Sequence, residues 1–183
     1  MISEIIRKRY AIIYVIAFAV LATGMALCHR LSMATLKGLV LAAVAIKGLL
    51  DDLKSREVPD SVPVCLLIAG LIDVHGWQQL VNGAIGAAII FVPLFIYLMI
   101  RPNGGFGGAD MKIAAAFAFV NGTLGGLIGL AAGLLVAIIV TLIAGSFRKS
   151  KKADREETPE PAPQGFAAVP YISLAGLLIY MLF

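Results

Sequence analysis

Gly104-Gly105-Phe106-Gly107-Gly108-Ala109-Asp110-Met111-Lys112 sets an ionisable carboxylate between apolar stretches long enough to cross a bilayer. An aspartate within the hydrocarbon region costs at least about 2.5 kcal/mol on insertion scales, so its default reading is a functional group lining a polar cavity. The flanks decide the fold class. Apolar runs cover residues 10–28, 31–50, 61–74, 80–100, 109–120, 123–147 and 167–183, and a run of about 20 residues spans a bilayer as a helix. Long runs of Ile, Leu, Val and Ala without strict alternation exclude an outer-membrane barrel.

Composition agrees. The chain is 60% hydrophobic and 14% charged, with a mean hydropathy of +0.95, whereas a soluble domain carries about 25% charged residues. The expected fold is an all-α integral membrane protein, a polytopic bundle of about seven (six to seven) transmembrane helices. Residues 1–183 then form a single transmembrane domain with an extra N-terminal helix over 1–30. The first run exceeds the roughly 7–15 residues of a secretory signal core, and Leu27 before Cys28 spoils a lipoprotein-type cleavage site, so it reads as a retained helix.

Lys and Arg concentrate in cytoplasmic loops, which sets the orientation. With the N-terminus inside, that face collects Arg7, Lys8, Arg9, Lys54, Arg56, Arg101, Lys112, Arg148, Lys149, Lys151, Lys152 and Arg155, leaving mainly Arg30 and Lys37 opposite. The C-terminus then lies outside. Topology accounts for the net charge of +4, and no reason is left to invoke nucleic acid. The polar stretch 148–164, within a region assigned as linker over 148–166, opens with Lys and Arg and continues with Glu and Pro. It is expected to be a disordered cytoplasmic segment. Cys28 and Cys65 form no CxxC pair, so neither a metal nor a disulfide framework is indicated; both are expected to be packed thiols. Gly125, Gly129 and Gly133, and likewise Gly83 and Ala87, recur at four-residue spacing, which lets helices approach closely.

The chain has 11 acidic residues, and few of them lie near membrane segments. Asp51 and Asp52 end the second apolar run, Glu57 and Asp60 follow it, and Asp110 begins the fifth. In the topology above, Asp52 and Asp110 share the cytoplasmic side. The fifth run reaches only about 20 Å at 1.5 Å per residue, against a hydrocarbon thickness near 30 Å. Its start is therefore drawn toward the bilayer, together with a glycine-rich loop that is tolerated there only against protein or a wet cavity. Two plainer roles compete: Asp110 as a helix N-cap, and Asp51 or Asp52 as interfacial charges, with Lys47 one turn before Asp51 as a partner.

Asp52-Leu53-Lys54-Ser55-Arg56-Glu57-Val58-Pro59 resembles the D-x-K-x-R-x-[IV]-P signature of type IV prepilin peptidases, and Gly107-Gly108-Ala109-Asp110-Met111-Lys112 resembles their GxGDxK signature. A Val169-Pro170-Tyr171 turn into the last run is similar to the family's closing segment. The resemblance implies a GxGD-type membrane aspartic endopeptidase, with Asp52 and Asp110 catalytic and Lys54, Arg56, Pro59, Gly107, Gly108, Ala109 and Lys112 supporting. Such an enzyme removes a short basic leader from pilin-like or archaeal flagellin-like precursors, which are the implied partners beside the lipid bilayer; it needs no metal or other cofactor. Asp51, Glu57 and Asp60 are candidates to receive the basic leader.

Two departures stand out. Ala109 replaces the second glycine of GxGD, which resembles the archaeal branch. The paired CxxC motifs of members that also methylate the new N-terminus are missing, which implies a peptidase without methyltransferase activity. Two alternatives remain open: an ion-coupled transporter or channel subunit, whose intramembrane carboxylates mark an ion path, and an inactive assembly factor for a pilus or archaeal flagellum.

Overall fold

The computed structural model describes residues 32–55, 58–101, 107–152 and 168–182, plus helical residues at 12, 13, 15–20, 23 and 24; over 53–55 and 144–152 the description is of the backbone only. The helices in chain order are α1 (Met33–Ser55), α2 (Ser61–Gly70), α3 (Trp77–Ile100), α4 (Gly108–Lys152) and α5 (Val169–Leu182). Among the described residues there is no strand. The apolar sequence leaves helices as the only structures able to pair every backbone group without water.

Among the described residues, three stretches are long and apolar enough to cross a membrane: Met33–Asp52, Trp77–Ile100 and Gly108–Ile143. The chain is thus an all-α membrane protein, and the described helices do not by themselves support the expected count of seven spans. α2 has 10 residues and α5 has 14, about 15 and 21 Å at 1.5 Å each. Gly70 ends α2, and Asp73 follows at φ 64, a left-handed conformation that aspartate tolerates better than most residues. The expected fifth and sixth runs form one element, α4, interrupted at Gly122. Much of the first run lies outside the described residues.

Gly122 has φ 72 and ψ −178, a combination essentially restricted to glycine. It reverses the chain. Residues 118 and 126 of an unbroken helix would be about 12 Å apart, yet a Cβ on Gly126 would stand 2.6 Å from the Ala118 Cα. The two arms of α4 therefore fold back on each other. Asn82 of α3 pins the reversal: its Oδ1 accepts the Thr123 N–H at 3.3 Å and the Thr123 hydroxyl at 2.8 Å.

Small residues set the helix spacing. A Cβ on Gly83 would meet the Phe119 carbonyl oxygen at 2.5 Å, one on Gly86 the Thr123 nitrogen at 2.9 Å, and one on Gly133 the Ile172 Cα at 2.9 Å. The expected close approach of α3 thus runs through Gly83 and Gly86 rather than Ala87, and Gly133 brings α4 against α5. The core groups Phe18, Leu41, Leu49, Leu66, Phe117 and Ile172, while Phe91, Val92, Phe95, Ile96 and Met99 of α3 stay exposed, as on a surface that meets lipid.

Three local expectations change. α4 continues to Lys152, so the basic start of the presumed disordered linker has helical backbone; residues 153–167 lie outside the described residues. Cys65 is exposed rather than packed, and Cys28 lies outside the described residues. Lys37 is not a loop charge but a helical residue only 4% exposed, with its ammonium 5.7 Å from the centre of the Tyr180 ring.

Gly122→Ala is expected to lower stability by about 1–3 kcal/mol through backbone strain, read as a lower melting temperature in detergent. Gly108→Ala, where a Cβ meets nothing within 4 Å, is expected to stay within about 0.5 kcal/mol of the wild type.

Candidate active site

α1 ends and α4 and α5 begin at the same end of the bundle, and this brings three distant chain segments together. Asp52 lies on the last turn of α1, partly buried. Asp110 lies on the first turn of α4 and is 4% exposed. Asp52 is close enough for its charge to act on the Asp110 carboxylate.

Asp110 is not the helix cap that the simplest reading suggests. Helix α4 starts at Gly108, so Gly107 takes the cap position and Asp110 is the third helical residue. Its Oδ2 reaches back to accept the Gly107 N–H at 2.9 Å, which is half of a capping box. Met111 N–H in turn donates to the Gly107 carbonyl at 3.3 Å. A Cβ on Gly107 would stand 3.2 Å from Oδ2, so a hydrogen at this position leaves the carboxylate room to turn back.

Oδ1 of Asp110 is buried without a hydrogen-bond partner among the described residues. The N–H groups of Ala168 and Val169, at the start of α5, approach the same carboxylate without reaching hydrogen-bond geometry at Oδ1. Sequence reading saw the Val169-Pro170 turn but not this placement. Its one local signal is Pro170 in the first turn, where a missing N–H costs a helix nothing.

The remaining candidates divide. Asp51 pairs with Lys47 at 3.7 Å within α1, as the four-residue spacing predicts. Asp60 instead binds the ammonium of Lys112, so the stretch after the first motif is tied directly to the second. Pro59 is exposed, and its carbonyl accepts the Val62 N–H at 3.0 Å to open α2. Ala109 is partly buried against the core, whereas Gly108 faces open space. Arg56, Glu57 and the Lys54 side chain lie outside the described residues. Among the described residues, no three His, Cys, Asp or Glu side chains come together in a way that would hold a metal ion.

A buried carboxylate with one oxygen left without a partner can exchange a proton with a bound water or peptide. Searches of curated proteins and of solved structures return no significant match. A profile of the type IV leader peptidase family, however, matches residues 39–146. That range holds both Asp52 and Asp110 and covers more than half of the chain, which therefore belongs to the type IV leader peptidase family.

Proposed function

We propose that the protein is an aspartic endopeptidase that removes the short basic leader from type IV pilin-like or archaeal flagellin-like precursors, with Asp52 and Asp110 as its catalytic pair. One observation carries this reading: a carboxylate 4% exposed at the end of an apolar bundle has a second carboxylate within electrostatic reach. Family membership supplies the peptidase class. The D-x-K-x-R-x-V-P and GGADMK motifs around the two residues support the aspartic assignment.

Two carboxylates held close do not both ionise readily, so they share one proton and titrate as a unit. The ionised member removes a proton from water as the water oxygen bonds to the scissile carbonyl carbon. The protonated member gives its proton to the carbonyl oxygen. The tetrahedral intermediate then collapses: the C–N bond breaks, the leaving nitrogen takes the pair's proton, and a hydroxyl of the intermediate returns its own proton to the pair as it becomes the new carbonyl, so one shared proton remains. Oδ1 of Asp110, without a hydrogen-bond partner among the described residues, is the oxygen suited to face the water, while the Gly107 N–H holds Oδ2.

The excess of Lys and Arg in the polar segments supports a site at the cytoplasmic face, with the N-terminus inside and the C-terminus outside. Seven segments, including the short α2 and α5 and both arms of α4, suit that topology. The chain holds two cysteines and no CxxC pair, which supports cleavage without N-methylation.

Membranes carrying Asp52→Asn or Asp110→Asn are expected to cleave a pilin-like precursor at least about a thousandfold more slowly than wild type, at equal expression, judged by mobility shift and N-terminal sequencing. Cleavage surviving in either variant removes the pair. Mass spectrometry of the wild-type product is expected to show a free, unmethylated amine; a methylated one would contradict the peptidase-only reading.

A further inference from the structure

Asp60 occupies the N-cap position of α2, where an aspartate usually accepts a free N–H of its own helix. It makes no such bond. Its carboxylate turns instead to the ammonium of Lys112, which lies on the first turns of α4, two residues past Asp110. Among the described residues the other ion pairs are local, Lys47–Asp51 within α1 and His75–Asp73 within one turn. Lys112–Asp60 joins two elements. It is also open to water, the two side chains being 41% and 79% exposed, so solvent screening leaves it little weight in holding the fold.

We infer that Asp60 is the anchoring carboxylate for a Lys or Arg side chain of the substrate, and that Lys112 keeps this place in the free protein. The inference rests on the peptidase reading above and specifies how that site selects a cationic peptide. An ammonium already occupies the carboxylate, so a second cation of the same chemistry takes over without leaving Asp60 unpaired. The released Lys112 swings into water, where it is already half exposed. Of the other acidic candidates, Asp51 pairs with Lys47 of its own helix. The linkage to Lys112 makes Asp60 the carboxylate tied to the chain segment that carries Asp110.

The test uses the full chain in detergent, with a fluorescent peptide bearing two lysines and a counterpart with glutamines in their place. Binding is read by anisotropy in wild type, Asp60→Asn, Asp60→Glu and Lys112→Met. Asp60→Asn is expected to weaken the lysine peptide about three- to fivefold, as for an exposed ion pair, and to leave the glutamine peptide unchanged. Asp60→Glu is expected to restore much of the loss. Lys112→Met is expected to tighten the lysine peptide about twofold by removing the competitor. Equal losses for both peptides in Asp60→Asn, or weaker lysine-peptide binding in Lys112→Met, would show a merely structural tie and overturn the inference. Cleavage of precursors carrying the same two leaders tests the reading beneath it. If wild type cleaves neither, the peptidase assignment fails, while the binding comparison still decides the role of Asp60.

Discussion

Oδ2 of Asp110 accepts the Gly107 N–H at 2.9 Å while Oδ1 lacks a partner among the described residues, in a side chain only 4% exposed. Placing half of a carboxylate's hydrogen-bonding capacity in an apolar bundle is costly, and several neighbouring features offset that cost. Gly107 offers an amide that a bulkier residue would crowd. The N-terminal turn of α4 contributes the positive end of its dipole. The start of α5 brings the Ala168 and Val169 amides toward the same group. The site therefore depends as much on backbone dipoles as on charged side chains.

Holding those dipoles in place requires close helix packing without a hydrophobic drive between helices, because lipid is as apolar as the side chains. Glycine contacts supply it. Gly83 and Gly86 admit α3 to the first arm of α4, and Gly133 admits α5 to the second. Both contacts depend on the reversal at Gly122, which Asn82 fixes from a third helix. Asn121 adds a bond from its Nδ2 to the Gly176 carbonyl at 3.0 Å, joining the reversal to α5. Polar side chains in this bundle thus mark turns and joints, and apolar ones fill the space between.

Much of this was legible in the sequence, and the limits have physical causes. Apolar runs locate α1, α3 and both arms of α4 within a few residues, because a helix in lipid must be continuous and apolar. The number of spans was less legible. Runs as short as 61–74 and 167–183 meet composition criteria but yield helices of 10 and 14 residues. Motifs singled out Asp52 and Asp110, but the capping-box position of Asp110 was not legible, since it depends on where α4 begins. Asp60 shows the same limit. Its acidity and position suggested a receptor for a basic peptide, whereas its pairing with Lys112, 52 positions away, is a tertiary contact with no local signature.

The amides that approach Asp110 belong to α5, more than fifty residues after the carboxylate they face. During synthesis α4 enters the membrane before α5 exists, so the nascent protein carries Asp110 for a time without those dipoles. At roughly 5–20 residues per second, that interval lasts several seconds. Assembly of the last helix thus completes the electrostatics of the site, and a chain interrupted before α5 would hold both carboxylates yet lack the surroundings that tune them. Translation order thus makes α5 a late contributor to the surroundings of Asp110.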